Sequence, residues 1–217
     1  IKMQSVFYNL ENEKVRFLAE TDEKLSRLIR HIGVSEIVIE NDGFKCLVKY
    51  IIGQQISDKV REIIWQRFCV VFQPVTPKHI LEIENERLKI VGLSQSKINY
   101  IKNLASAIVN GTVKFEDHCK LTNEKIIKEL TAIKGIGQWT AEMYLIFSLG
   151  REDVLSKTDG TIKRVIQWMY DLTTMPKDSD IVSYFQKWLN YSTIVSSYFW
   201  EAIKLGLTQK KFGDIIN

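Results

Sequence analysis

The sequence predicts an all-α protein, and three observations carry that expectation. Apolar residues recur at helical spacing through most of the chain. Only three prolines occur (Pro74, Pro77 and Pro176), and none interrupts such a pattern. Strand signals are confined to two short runs, Ser5-Val6-Phe7-Tyr8 and Ile37-Val38-Ile39, neither with an evident partner. The 217 residues fit one large or two small domains, with 45% apolar and 26% charged residues, the balance of a globular protein. That composition excludes collagen-like and disordered chains. No apolar run reaches the ~20 residues of a membrane helix, and no secretory leader pattern is present.

The elements follow in order. From Ser57, Val60, Ile63, Ile64, Phe68 and Val71 share a helical face; from Ser94, Ile98, Ile101, Leu104, Ala105 and Ile108 do so, stopped by Gly111. From Thr122 the pattern is Ile126, Ile127, Leu130 and Ile133. Ser57, Ser94 and Thr122 are N-caps, and Thr76-Pro77 puts proline at the first helical position. Glycines 33, 92, 111, 150 and 206 stand where helices end. About ten helices are expected, near 22–32, 43–53, 57–72, 77–84, 85–91, 94–110, 122–133, 137–149, 160–171, 180–189 and 192–205, with two short ones merging. They are expected to form two interleaved helical lobes flanking a cleft, a natural place for a site.

Cys46, Cys69 and Cys119 are too scattered for a disulfide framework or a zinc or iron–sulfur site. His31, His79 and His118 share no spacing, which argues against a metal site or a Ser-His-Asp arrangement. No metal is expected. Thirty Lys and Arg against 26 Asp and Glu give a net charge of +4, a slight lean toward nucleic acid.

The most specific stretch is Leu130-Thr-Ala-Ile133-Lys134-Gly135-Ile136-Gly137-Gln138-Trp139-Thr140-Ala141. A helix runs into Ile133, two glycines permit a tight turn, and a second helix begins at once, presenting amides suited to a phosphate. Ile136 points inward to lock the helices, and Ala141 lets them pack closely. An ordinary helical elbow reads the same way locally, so the downstream sequence matters. About twenty residues on, Asp159 precedes an amphipathic helix bearing Ile162, Val165, Ile166 and Met169. There it serves as an N-cap, which also holds a carboxylate in place.

This pair of motifs resembles the helix-hairpin-helix DNA glycosylases, and within them the alkylated-base branch of the 3-methyladenine DNA glycosylase II type. Phe44 to Ser57, ending Ile52-Gly53-Gln54-Gln55-Ile56-Ser57, is similar to that branch's IxGQQxS signature. Gly92 to Lys97 resembles its wedge-loop segment, and Tyr191 to Trp200 its C-terminal aromatic helix. The resemblance spans residues 15–206 as a glycosylase core. It leaves 1–14 as an N-terminal remnant or short strand, without room for the mixed α/β domain some members carry, and 207–217 as a tail.

The resemblance implies a monofunctional glycosylase of base excision repair that flips out alkylated purines and hydrolyses the N-glycosidic bond, leaving an abasic site. Asp159 would be the catalytic carboxylate, stabilising positive charge on the deoxyribose and orienting water. No second acid is needed when methylation already makes the base cationic. Trp139, Met143, Tyr144 and Trp200 would line the base pocket, whereas Trp168 and Trp188 read as core. The DNA contacts implied are Lys134, Gly135, Ile136, Gly137, Gln138 and Thr140 of the hairpin, Gln54, Ser57, the wedge residue Gln95, and Lys97 and Lys163. Strand-nicking relatives place a lysine where this chain has Trp139, and often carry a four-cysteine cluster absent here. Three departures fall at the pocket: Met143 replaces an aromatic residue, Asn190-Tyr191-Ser192-Thr193 replaces a Pro-aromatic-Arg-Ser run, and Gly160 follows the aspartate. They leave the range of damaged bases open.

No catalytic cofactor is implied, and a structural monovalent cation on the hairpin's backbone carbonyls is. The partner expected is double-stranded DNA bearing damaged bases, engaged by a monomer without a membrane. The location expected is intracellular: cytoplasmic at the nucleoid in a bacterium, nuclear in a eukaryote. Two alternatives stand beside this reading, a non-catalytic helix-hairpin-helix DNA-binding module and a glycosylase for a different damaged base.

Overall fold

The computed structural model describes residues 4–215, and these are mostly helical. In chain order the elements are β1 (Gln4–Tyr8), α1 (Glu13–Thr21), α2 (Glu23–Ile32), β2 (Ser35–Ile39), α3 (Gly43–Gly53), α4 (Asp58–Val71) and α5 (Pro77–Glu82). There follow α6 (Asn85–Lys89), α7 (Gln95–Val109), α8 (Asn123–Thr131), α9 (Gln138–Phe147), α10 (Gly160–Tyr170), α11 (Asp178–Phe185), α12 (Ser192–Lys204) and α13 (Phe212–Ile215). The expected caps form: Ser57, Thr76, Ser94 and Thr122 each accept a backbone N–H from three residues on, at 3.3–3.4 Å.

The two β-branched runs are each other's partner. β1 and β2 pair antiparallel with Gln4 opposite Ile39 and Tyr8 opposite Ser35. The pairing joins segments about thirty residues apart, which local pattern cannot reveal. Helix α1 was not expected either. Asn12 caps it by accepting the Lys14 amide at 2.9 Å, and it buries only Val15 and Leu18. No helix among the described residues is long and apolar enough to cross a membrane.

The described residues divide into two compact units, one of Glu40–Leu149 and one combining residues 4–39 with 150–215. The first runs continuously, while the second is assembled from two separate stretches. The described parts of the expected 1–14 remnant and 207–217 tail, residues 4–14 and 207–215, therefore belong to one folded unit. The tail contributes Phe212, which packs edge-on against Trp168 with ring centres 4.9 Å apart.

In the first unit α3 packs on α9, both largely buried. Gly43 permits the approach, since a Cβ there would sit 3.0 Å from Phe115 and Tyr144. The hairpin's second helix is thus anchored along its length.

In the second unit every residue of α12 from Ser192 to Phe199 is buried. A helix buried all round must satisfy its hydroxyls internally. Ser196 Oγ donates to Ser192 O at 2.8 Å, Ser197 Oγ to Ile194 O at 2.7 Å, and Tyr198 OH to Tyr8 O at 2.9 Å. Trp188 is fully buried against Phe185 and Phe199 and donates Nε1–H to Thr21 Oγ1 at 3.1 Å. Each large apolar side chain buried here contributes roughly 1.5–3 kcal/mol to the scaffold. That scaffold fixes α10 against α12.

Candidate functional site

In the first unit, α8 ends at Thr131, residues 132–137 turn, and α9 starts at Gln138. Gly135 has φ +106°, and a Cβ on it would fall inside the Tyr100 ring, so glycine is required twice over. Gly137 is the N-cap of α9, with no side-chain cap and open space where its Cβ would be. A large group can therefore approach this backbone closely. The amides of α9's first turn have no intrahelical acceptor and carry the positive end of the helix dipole. Ile136 is buried, as the turn requires, and Lys134 is exposed. Gln138 is exposed and donates Nε2–H to Glu142 Oε1 at 2.8 Å.

Several expected DNA contacts prove to be internal supports. Gln54 Nε2 donates to Gly135 O and to Thr140 Oγ1, both at 3.0 Å, so the amide props the turn from within. Thr140 is 1% exposed, which removes its side chain from any surface. Lys97 Nζ donates to Ile52 O at 2.7 Å, closing the end of α3; partial burial pulls its ammonium below lysine's usual value. Lys163 Nζ is paired with Asp178 Oδ1 at 2.6 Å. In each case a partner elsewhere in the fold engages the side chain: a carbonyl or carboxylate for Gln54, Lys97 and Lys163, and the Gln54 amide for Thr140. Ser57 is exposed and caps α4.

The wedge assignment also shifts. Gln95 lies in the first turn of α7 with its amide tied to Asn99 Oδ1 at 3.0 Å. Gln55, two residues beyond α3, has φ +59°, is exposed, and has no side-chain partner among the described residues. A non-glycine residue held in that region signals a conformation the surroundings impose. The second glutamine of the Gly53-Gln54-Gln55 run was its only sequence signal.

Two expected pocket residues are interior ones. Met143 and Tyr144 are 3% and 1% exposed. Tyr144 OH lies 2.7 Å from His118 Nδ1, and His118 Nε2 lies 3.0 Å from Glu129 Oε1. Phe115 packs on the same ring, centres 5.5 Å apart. With Tyr144 and His118 both buried, this network corrects the expectation of an open aromatic wall at Tyr144. Trp139 differs: it is half-buried, edge-on to Tyr50 at 5.8 Å, and Tyr50 lies under the Arg61 guanidinium at 5.1 Å.

In the second unit Asp159 caps α10, its Oδ1 accepting the Thr161 amide at 2.7 Å. Its Oδ2 accepts the Trp200 indole N–H at 3.3 Å. The two carboxylate oxygens thus meet separate donors from α10 and α12, and the group's plane is set by both. Trp200, expected as a pocket wall, holds the carboxylate as well. Asp159 is half-buried, and Gly160 beside it leaves open space where a side chain would be.

No group of three or more His, Cys, Asp or Glu that could hold a metal occurs among the described residues. For the implied cation the hairpin offers neutral oxygens. Lys134 O and Gly135 O already accept the side-chain amides of Asn103 and Gln54, at 3.0 Å each, while Ile136 O accepts no hydrogen bond among the described residues.

A turn of bare peptide groups between two helices, and a doubly held aspartate heading another, define a helix-hairpin-helix repair protein. Residues 48–191 match the HhH-GPD superfamily of base excision DNA repair proteins, and the chain belongs to it. DNA-3-methyladenine glycosylase 1 of Schizosaccharomyces pombe is 30% identical over 195 residues, 87% of this chain and 86% of that protein. Among solved structures, DNA-3-methyladenine glycosidase from Bacillus halodurans matches with TM-score 0.80 and 29% identity, covering 95% of this chain and 96% of that one. The S. pombe 3-methyladenine DNA glycosylase in complex with abasic DNA matches with TM-score 0.82 and 28% identity, over 89% and 97% of the two chains.

Proposed function

We propose that this protein is a monofunctional DNA glycosylase that removes alkylated purines, of the 3-methyladenine and 7-methylguanine type, from double-stranded DNA. The carrying observation is Asp159, whose two oxygens are held by Thr161 N–H and Trp200 Nε1–H. A carboxylate so fixed suits a reaction that builds positive charge on a sugar. The names of the relatives support the substrate class.

In the reaction the bond between deoxyribose C1′ and the base nitrogen breaks, and both electrons leave with the base. A cationic methylated purine departs neutral, so it needs no proton. Asp159 stabilises the oxocarbenium-like sugar and orients the water whose oxygen bonds to C1′; that water's proton is lost to the carboxylate or to solvent. The hairpin amides of the first unit grip the phosphate backbone, with Lys134 adding charge. Gln55, rather than Gln95, supplies the wedge that fills the vacated stack. The exposed part of the Trp139 ring offers a face to the cationic base, worth about 0.5–2 kcal/mol. The hairpin position used by strand-nicking relatives for a lysine holds Trp139, so no Schiff base forms and the abasic site is left intact. A structural monovalent cation would use hairpin carbonyls such as that of Ile136. The protein acts as a monomer, wherever the cell keeps its DNA.

Asp159→Asn, nearly isosteric, should still bind methylated duplex while release of free 3-methyladenine falls about 10³-fold. Chromatography of the released bases measures this. Undiminished release would overturn the assignment, and a wild-type protein that binds but releases nothing would instead mark a non-catalytic module. A panel of 3-methyladenine, 7-methylguanine, 1-methyladenine, hypoxanthine and uracil substrates fixes the range.

A further inference from the structure

Helix α7 presents Lys97, Tyr100 and Asn103 at successive three-residue steps, which places them along one side of the helix. Lys97 Nζ holds Ile52 O at the end of α3, the Tyr100 ring lies where a Cβ of residue 135 would be, and Asn103 Nδ2 donates to Lys134 O at 3.0 Å. From the end of α3, Gln54 Nε2 donates to the next carbonyl, Gly135 O, and to Thr140 Oγ1. Two consecutive carbonyls of the hairpin are therefore each clamped by a neutral side-chain amide.

A carbonyl that accepts a hydrogen bond polarises its own peptide unit, and the N–H of that unit becomes a better donor. The Lys134 carbonyl shares its peptide with the Gly135 N–H, and the Gly135 carbonyl shares its peptide with the Ile136 N–H. The Ile136 N–H is spent on Ile133 O at 3.0 Å, which closes the turn. The Gly135 N–H has no acceptor among the described residues.

We propose that Asn103 and Gln54 are positioning residues for the phosphate grip: Asn103 aims and polarises the Gly135 amide through the Lys134 carbonyl, and Gln54 locks the turn's shape through Gly135 O and Thr140. This inference rests on the glycosylase reading for its substrate, though not for its DNA affinity. Neither side chain touches DNA. Both act by keeping the peptide groups in a binding geometry before the strand arrives, which removes an ordering cost from association.

The test uses Asn103→Asp, Asn103→Ala and Gln54→Glu in the full chain, with methylated duplex and a duplex carrying a tetrahydrofuran abasic analogue. Each variant should weaken binding of both duplexes and raise KM by about 5-fold or more, the effect of one lost hydrogen bond. The single-turnover rate at saturating DNA should stay within about two-fold of wild type. The steeper loss belongs to Asn103→Asp, which sets a carboxylate against a carbonyl. The salt dependence of binding should keep its slope, because no phosphate-neutralising cation is removed, whereas Lys134→Ala should flatten it. Unchanged affinity in all three variants overturns the proposal. A matched fall in kcat, affinity and thermal midpoint also overturns it, since that is the mark of a merely structural role. Asp159→Asn run beside them separates the two readings: undiminished excision by that variant refutes the glycosylase assignment, while the affinities of the Asn103 and Gln54 variants still decide this one.

Discussion

The hairpin of the first unit and the head of α10 in the second share one local device, a helix N-terminus with unsatisfied amides, and use it oppositely. At α9 the N-cap is Gly137, which has no side chain, so the amides stay open to an outside anion. At α10 the N-cap is Asp159, whose own carboxylate takes the Thr161 amide and, in the proposed reaction, is the functional group. One cap residue thus separates a helix whose N-terminus is left open from one that carries its own carboxylate. Support differs accordingly. The hairpin is held through its backbone, by Gln54, Asn103 and Tyr100, whereas Asp159 is held at its side-chain oxygens by α10 and α12.

The largest way to break this contrast is the loss of the carboxylate in Asp159→Asn, which should cut excision about 10³-fold and leave binding. Gly135→Ala attacks the other side: it forces a Cβ into the Tyr100 ring at a φ that L-residues avoid, and should cost about 1–3 kcal/mol of stability from the backbone alone. DNA affinity should fall with it, and thermal unfolding together with duplex titration checks both. Trp200→Phe keeps the ring and removes the indole N–H from Asp159 Oδ2. The single-turnover excision rate should drop about 10-fold with DNA affinity unaltered, the magnitude of one hydrogen bond to a charged group.

The smallest effect tests the scaffold of the second unit. Asp22 caps α2 and accepts from Lys187, from Tyr170 OH at 2.6 Å and from Leu25 N–H at 2.8 Å. Burial would raise its carboxyl, but the hydrogen bonds from Lys187, Tyr170 and Leu25 outweigh that and hold it below the usual carboxylate value. A depressed carboxylate stabilises the fold fully above its unfolded value near 3.9, and the contribution is lost as pH falls through the lower folded value. Asp22→Asn should therefore cost about 1–2 kcal/mol at neutral pH, with the deficit shrinking below about pH 4 in urea melts.

Much of the site was legible along the chain. Gly135, Ile136 and Gly137 form the turn, and Asp159 the cap, that their spacing suggested, because turns and caps are decided by a few adjacent residues. Gln54, Lys97, Lys163 and Thr140 were not so legible, because each is a polar side chain whose partner lies far off in sequence. Polar groups look alike on paper whether they meet a phosphate or a carbonyl of the same fold. Tyr144 is a similar case: nothing near it announces His118 and Glu129, and the three interact only because their elements pack together.

By itself the sequence determined the helical class, the caps, the hairpin and the family, since these rest on period, glycine placement and short motifs. Only the tertiary structure decided that β1 and β2 pair, that residues 4–39 and 150–215 build one unit, and that Trp200 holds Asp159. It also decided which side-chain amides support the hairpin from within. The physical reason is the same throughout: local backbone preference is written in neighbours, while the partner of a buried or half-buried polar group is chosen by packing.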